Sequence, residues 1–359
     1  MSQVCPVAYS ASMTLQRAAL WAIVIAATLY LLVAGRGLLL PAVLGLVLWY
    51  MVDALADVIE RPHVGNLKLP RPIALLASIC TMGGLLWIVG RTVSRNVTAV
   101  AAAAPNYEGR LQHLIDQGAH MLGVETAPTI NQLFDRISLA DTLSSLATAL
   151  ASVVSVTGIV LIYAVFLFFE QVHFGRKLGI IFGASDHEAR IRSVLEQIDR
   201  DIRIYIRIKT TLAVVTSALA YSVMAWVGVD FAGFWAVMVF FFYYIPTVGS
   251  ILAIVAPALL TLVQFDHLSP FLIVLFVIGI IQIVMANVVE PAMMGRSLNL
   301  SPLVVIFSLV VWGTIWGVVG MFLCVPIMVV LLIVLARFKA THPVAVLLSA
   351  DGKVPPPSD

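Results

Sequence analysis

The sequence predicts an all-α, polytopic membrane protein, and two observations carry this prediction. The 359 residues are 61% hydrophobic and only 11% charged, whereas a soluble globular domain has about 25% charged residues. Uncharged runs recur along most of the chain, and two of them, Phe231 to Val263 and Leu303 to Ala336, far exceed the roughly 20 apolar residues that cross a bilayer once. We therefore expect about six full transmembrane helices plus two segments broken by Gly and Pro, which makes eight hydrophobic segments.

The N-terminal part, residues 1–90, contains three predicted spans. Ala18 to Gly35 and Gly37 to Val52 are uncharged, with Arg36 alone between them, which predicts a tight helical hairpin. Pro72 to Gly90 is the third span. Only Arg17 precedes the first apolar run and a second run follows at once, so a cleaved signal peptide is the less favoured interpretation.

Two polar stretches follow. In residues 91–141 the charges are scattered among apolar residues at helical spacing, which predicts an external excursion of short amphipathic helices. Residues 142–209 contain a fourth span and then an amphipathic helix with the densest basic cluster of the chain, which the positive-inside rule places in the cytoplasm together with both termini. Acidic residues are mixed into this cluster, so we expect a solvated helix near membrane lipids and no nucleic-acid partner.

The two broken segments lie in residues 210–340, which we predict to be the transport core, ahead of a C-terminal tail at 341–359. The first break is Pro246 to Gly249 and the second is Gly317 to Gly320. If each segment crosses once, the loop that carries Glu290 is external. If each is a re-entrant hairpin, that loop is cytoplasmic, and residues 210–263 and 268–336 form an inverted repeat of the kind that supports alternating access.

Gly- or Pro-broken hydrophobic segments in matching positions indicate the binding site of a secondary transporter. Freed backbone groups are tolerated at membrane depth only against protein or a wet cavity. We therefore predict a substrate pathway lined by Pro246, Thr247, Gly249, Ser250, Gly317 and Gly320. Two alternatives stay open: the hydroxyls could bond to carbonyls of their own helix, and the glycines could serve close helix packing.

Charged residues in membrane segments are costly and usually functional. Here the candidates lie at segment ends: Asp230, Glu290 and Arg296. We predict gating or ion-coupling roles for them, with the helix N-cap as the competing role of Asp230. Glu290 is favoured because Pro291 follows it and an apolar run ends just before it.

The C-terminal half resembles the autoinducer-2 exporter (AI-2E) family. The stretches that carry the resemblance are Asn287 to Ser301, Trp312-Gly313, Gly317 to Met321, Val325-Pro326, Gly228 to Phe231, and Tyr244 to Ser250. The resemblance implies a bacterial inner-membrane protein that works as a secondary transporter. Members have been linked to autoinducer-2 efflux and to sodium/proton antiport, so the resemblance leaves the cargo open.

The sequence contains no GxxxxGK[ST], HExxH or GxSxG motif, which disfavours ATP drive and enzymatic activity. Its three cysteines are far apart, so we expect neither a metal site nor a cofactor. We predict a secondary transporter that exports a small polar molecule such as autoinducer-2 through a cavity lined by the two broken helices, and that forms a homo-oligomer. A cation/proton antiporter, a passive channel and a membrane scaffold are the alternatives.

Overall fold

The computed structural model describes residues 6–60, 70–92, 95–96, 112, 139–182, 186–294 and 299–356. These residues are helical apart from short connections and one isolated bridge between Leu300 and Ser349. Five helices are long and apolar enough to cross a membrane, or six if a bent pair at Gly158–Gln171 and His173–Ile181 is counted as one span. The predicted all-α, polytopic class is confirmed.

We number the helices in chain order. They are α1 (Pro6–Ala34), α2 (Arg36–Glu60), α3 (Arg71–Thr92), α4 (Leu139–Phe182), α5 (Asp186–Val227), α6 (Ala232–Phe242), α7 (Val248–Gln264), α8 (Ser269–Met294), α9 (Pro302–Arg337) and α10 (His342–Leu348). The predicted external excursion at 91–141 falls mostly outside the described residues. A helix break lies at Gly35, beside Arg36, where the predicted first two spans meet.

The first broken segment is a helical hairpin made of α6 and α7. At its open end the Gln264 side chain accepts a hydrogen bond from the Asp230 backbone N–H and donates one to the Gly228 carbonyl, each at 2.8 Å. At its tip the two arms nearly touch, because a Cβ on Gly249 would lie 1.8 Å from the Phe242 carbonyl oxygen. The segment therefore returns to the end from which it starts.

The second broken segment, α9, is also a hairpin. Gly317 has φ 63° and ψ −144° inside it, a conformation that is essentially restricted to glycine. Next to this break a Cβ on Gly320 would lie 1.8 Å from the Trp312 carbonyl oxygen. The open end is closed by α10, since the Ser301 backbone N–H donates to the Leu348 carbonyl at 3.0 Å. Of the two arrangements that the sequence left open, both segments adopt the returning one.

The two hairpins point in opposite directions. The tip of the first lies beside the middle of α5, where the hydroxyls of Tyr244 and Thr210 are 2.7 Å apart. The second begins and ends near the polar N-terminal part of α5, and Arg337 donates to the Gln197 side chain there at 2.9 Å. The order long helix, hairpin, long helix, hairpin with opposite directions is the arrangement expected of an inverted repeat. The tips pass each other where the Tyr244 ring stacks on Phe322, with centroids 4.4 Å apart.

A buried charge cluster attaches the N-terminal helices to α5. Asp53 of α2 is 1% exposed and pairs with Arg203 of α5 and with Arg71 of α3, the latter at 3.2 Å. The Arg203 guanidinium also lies 5.2 Å from the centre of the Trp49 ring and 2.9 Å from Asp199. Each charge in this cluster has an opposite partner, so the cluster fixes the position of α2 on α5.

Alanine at the two hairpin glycines tests the close approach of the hairpin arms. The Gly249→Ala and Gly320→Ala variants should each lower the free energy of unfolding by about 1–3 kcal/mol, because the new Cβ meets a backbone oxygen that cannot rotate away. Gly279→Ala is the matched control, since nothing lies within 4 Å of its Cβ position. Thermal unfolding in detergent measures the difference, and equal melting temperatures for Gly249→Ala and Gly279→Ala would contradict the hairpin geometry.

The returning geometry also predicts which connections are reached from outside. With the basic part of α5 in the cytoplasm, an impermeant thiol reagent applied outside should label His267→Cys, between α7 and α8. It should leave Ser297→Cys, between α8 and α9 in the sequence, unlabelled until the membrane is permeabilised. The native cysteines are replaced beforehand. Labelling at Ser297→Cys alone would mean that each broken segment crosses once.

Candidate functional site

A buried ion pair joins α5 to α8. The Lys209 Nζ atom lies 2.7 Å from Oε1 of Glu290, and the two side chains are only 8% and 17% exposed. Lys209 comes directly before the uncharged half of α5, and Glu290 directly follows a π-helical turn of α8. Charges this deeply buried in apolar helices are expensive unless paired, and they usually mark a functional position.

The tip of the first hairpin completes this pair. The Tyr243 hydroxyl donates to Oε2 of Glu290 at 3.1 Å, and its ring centre lies 4.9 Å from the Lys209 Nζ atom. The backbone carbonyl of Tyr243, at the end of α6, accepts a hydrogen bond from Lys209 at 3.5 Å. Helix ends leave such carbonyls without an intrahelical partner. The ion pair therefore holds the hairpin tip, α5 and α8 together.

A cavity of about 650 Å³ lies beside the ion pair. Both arms of the second hairpin, the tip of the first hairpin, α5, α8 and the C-terminal tail contribute to its wall. Its polar lining residues are Tyr205, Lys209, Glu290, Asn299, Asp351 and Lys353. The Tyr205 hydroxyl is buried and has no hydrogen-bond partner among the described residues, so it is available to a bound molecule.

The C-terminal tail forms one wall of this cavity through backbone pairing. The Asn299 side chain donates to the Lys353 carbonyl at 2.9 Å, and the Ala350 N–H donates to the Asn299 carbonyl at 3.1 Å. The Lys353 N–H donates to the Asp351 carboxylate at 3.0 Å. This hydrogen bond holds the pKa of Asp351 below its usual value, which keeps a negative charge on the cavity wall.

The structure brings two of the predicted site residues together and separates others. Pro246 and Glu290 both line the cavity. Asp230 lies at the opposite end of the first hairpin, in the turn before α6, and the N-cap residue of α6 is Phe231 rather than Asp230. Arg296 lies outside the described residues.

The remaining predicted pathway residues lie at the hairpin tips but do not line the cavity. Thr247 is exposed and has φ 59°, and Ser250 is half-buried. Gly249 and Gly320 serve the close approach of the hairpin arms, and Gly317 provides the turn of the second hairpin.

Sequence analysis missed three polar contributors to the site, namely Lys209, Tyr205 and Tyr243. Lys209 was counted with the basic cluster, although it follows Tyr205 by four residues and so continues the buried face of α5. That spacing is the signal that could have found it. Tyr243 carried no such signal, because its position depends on where the hairpin turns.

The arrangement can bind polar groups and respond to a proton. It offers a carboxylate, an ammonium group and two phenolic hydroxyls around a cavity, with apolar helices on the outside. Among the described residues no group of His, Cys, Asp and Glu could hold a metal ion. A site of this kind suits recognition and gating.

Comparison with known proteins gives a consistent result. The profile of the family described as "AI-2E family transporter" matches residues 20–340. "AI-2 transport protein TqsA" of Escherichia coli (strain K12) is 28% identical over 333 residues, covering 88% of this chain and 90% of the relative. "Putative transport protein YhhT" of the same strain is 26% identical over 77% of this chain and 80% of its own length. A "Putative transport protein" of Haemophilus influenzae is 32% identical over 61% and 63%.

Breaking the ion pair from one side should destabilise the fold more than removing both charges. Lys209→Met leaves Glu290 buried without a cation and should cost about 3 kcal/mol of unfolding free energy, while Lys209→Met with Glu290→Gln should recover at least half of that loss. Lys177→Met is the control, because the Lys177–Glu170 pair is exposed and should contribute less than about 1 kcal/mol. Thermal unfolding in detergent is the measurement, and a double variant less stable than Lys209→Met would contradict the pairing.

Proposed function

The chain belongs to the AI-2E family of transporters, and from that premise we propose that it is a secondary transporter that exports a small polar molecule. Autoinducer-2 is the first candidate, because the name of the relative TqsA specifies AI-2 transport. The proposed route passes through the cavity beside Lys209 and Glu290. The observation that carries this proposal is the meeting of two oppositely directed hairpins at that cavity.

Two re-entrant hairpins around one cavity provide the parts that alternating access needs. Irregular backbone at membrane depth is tolerated where it lines a cavity or packs on protein, and inverted repeats let one half rock against the other around a central site. Pro246 from the first hairpin tip and Val305 and Val325 from the two arms of the second line the same cavity. A relative movement of the two hairpins would therefore change access to it.

The ion pair is the proposed gate. While Glu290 is ionised, it holds Lys209 and the Tyr243 hydroxyl, and the hairpin tip stays against α5 and α8. A proton on Glu290 removes one charge of the pair and weakens both contacts, so the tip is free to move. This step would couple export to the proton gradient.

A cation/proton antiporter is the second candidate, and the buried carboxylate of Glu290 is the observation that favours it. In that case the carboxylate would exchange a proton for a metal cation rather than control a hairpin. A passive channel or a scaffold protein would need no such titration. Membership of a transporter family makes enzymatic activity unexpected.

The proposed location is the bacterial inner membrane with both termini in the cytoplasm. The basic residues of the N-terminal part of α5, together with Arg337 and Lys339 after α9, support this orientation by the positive-inside rule. Lipid contacts and a homo-oligomer stay predictions.

Export from cells tests the proposal. In bacteria that lack this protein, restoring the wild type should lower intracellular autoinducer-2, and restoring Glu290→Gln should leave it at least about 10-fold closer to the deletion level, because the neutral amide cannot pair with Lys209. Glu196→Gln, the same chemical change on an exposed α5 position, is the control and should behave as wild type.

Flux in proteoliposomes separates the candidates. Saturable autoinducer-2 flux that depends on a pH gradient supports the exporter, and cation-dependent proton release without autoinducer-2 flux supports the antiporter. An unsaturable ion current indicates a channel. Normal autoinducer-2 flux and unchanged pH dependence in Glu290→Gln would remove this residue from the mechanism.

A further inference from the structure

We infer that Thr216 of α5 and Gln282 of α8 form a second polar binding site within the apolar helices, which takes a hydroxyl group of the transported solute. The inference rests on the proposed transport function and adds a position on the route beyond the ion pair. It commits to an uncharged, hydroxyl-bearing ligand.

The first observation is that both side chains are buried with their hydrogen bonds unmade. Gln282 is 1% exposed and Thr216 is 0% exposed. Neither the amide atoms of Gln282 nor the hydroxyl of Thr216 has a hydrogen-bond partner among the described residues. Neighbouring hydroxyls behave differently, since Ser217 donates to the Ala236 carbonyl. Buried polar groups are almost always paired, so these atoms need a ligand that enters in another state.

The second observation is that the two residues continue the line of the ion pair. Thr216 follows Lys209 by seven residues, which is close to two turns of an α-helix and keeps it on the same face of α5. Since α5 and α8 run antiparallel through the Lys209–Glu290 contact, the matching position on α8 lies about two turns before Glu290. Gln282 is the buried residue there.

A π-helical turn sets this alignment. Gln282 precedes Glu290 by eight residues, which in a regular α-helix would rotate the two side chains roughly 80° apart. Met285–Val289 is π-helical, and such a turn takes in one extra residue. The extra residue brings Gln282 and Glu290 back onto one face. The ion pair and the proposed site are therefore two steps of one polar strip, roughly 10 Å apart along the helix axis.

Beyond this step the interface between the two helices becomes apolar. Ala220 and Met224 of α5 and Ile278 and Val274 of α8 are each 0% exposed and belong to one packed cluster. The polar strip thus ends at Thr216 and Gln282 in this conformation, and the site is closed on the side away from the cavity.

The chemistry of the two side chains selects the ligand. A carboxamide and a hydroxyl each donate and accept hydrogen bonds, and a solute hydroxyl can satisfy both kinds of group at once. The two side chains carry no charge that would compensate a cation or a carboxylate, and the amide N–H groups would face a cation unfavourably. A neutral hydroxylated solute or water fits, and the experiment must separate these two.

The burial of the site implies that it opens only when α8 shifts on α5. The π-helical turns on both sides of Gln282, Val274–Ile278 and Met285–Val289, have hydrogen-bond patterns that are uncommon and frequent at functional sites. In the closed state the unmade hydrogen bonds cost stability. An apolar side chain of similar size should therefore stabilise this state and impair transport.

Gln282→Met and Thr216→Val test this trade-off. Each should raise the melting temperature in detergent by a few degrees and lower autoinducer-2 flux in proteoliposomes at least about 10-fold. Ile278→Leu, an apolar exchange one turn away at an equally buried position, should leave flux unchanged within about twofold. A lower melting temperature for Gln282→Met, or unchanged flux, would overturn the proposal.

Cysteine labelling tests the opening without relying on transport. In protein whose native cysteines are replaced by alanine, N-ethylmaleimide should react with Gln282→Cys at least about 10-fold faster than with Ile278→Cys, and saturating autoinducer-2 should slow the reaction at 282. Equal rates at 282 and 278 would overturn the site, and faster labelling without protection would reduce it to a water site. If wild-type flux is absent while labelling and stabilisation are as expected, the proposed cargo fails and the polar step stands.

Discussion

Every backbone N–H and C=O inside a bilayer needs a partner, and the two hairpin tips are the places where this chain interrupts its helical hydrogen bonding. The structure meets the constraint by packing each tip on protein. The Tyr243 carbonyl faces the Lys209 ammonium group, and the adjacent Tyr244 ring stacks on Phe322 of the second hairpin. The cavity lies at this junction because only there do both irregular segments and a charged pair meet.

Helix α5 carries two buried charge clusters with different properties. Arg203 pairs with Asp53 and Asp199 and also covers aromatic rings, so the N-terminal helices are attached by several redundant contacts. Lys209 has a single carboxylate partner, Glu290, with a cavity beside it. Loss of one proton-sensitive contact would thus release the hairpin tip and α8 while α2 and α3 stay attached. The same helix can serve as a fixed support and as one side of a gate.

Hydropathy and the positions of Gly and Pro were sufficient to predict the class, the two broken segments and the importance of Glu290. They could not decide whether the segments return, because an over-long apolar run with a central break satisfies both geometries. That choice depends on tertiary contacts such as Gln264 with Gly228. The π-helical turns around Gln282 were likewise unpredictable, since no residue type specifies them. Lys209 was missed because its partner is distant in sequence and its own neighbours are basic.

The pairing of the C-terminal tail beside the cavity has a practical consequence for purification and assay design. Ser349 bridges to Leu300, and the Lys353 carbonyl is held by Asn299, so an affinity tag or fluorescent protein fused after the last residue would be tethered within a few residues of the cavity wall. A fusion at the other terminus would begin on α1, whose described side chains mostly face outward. Preparations tagged at different ends are therefore not equivalent starting material for flux measurements.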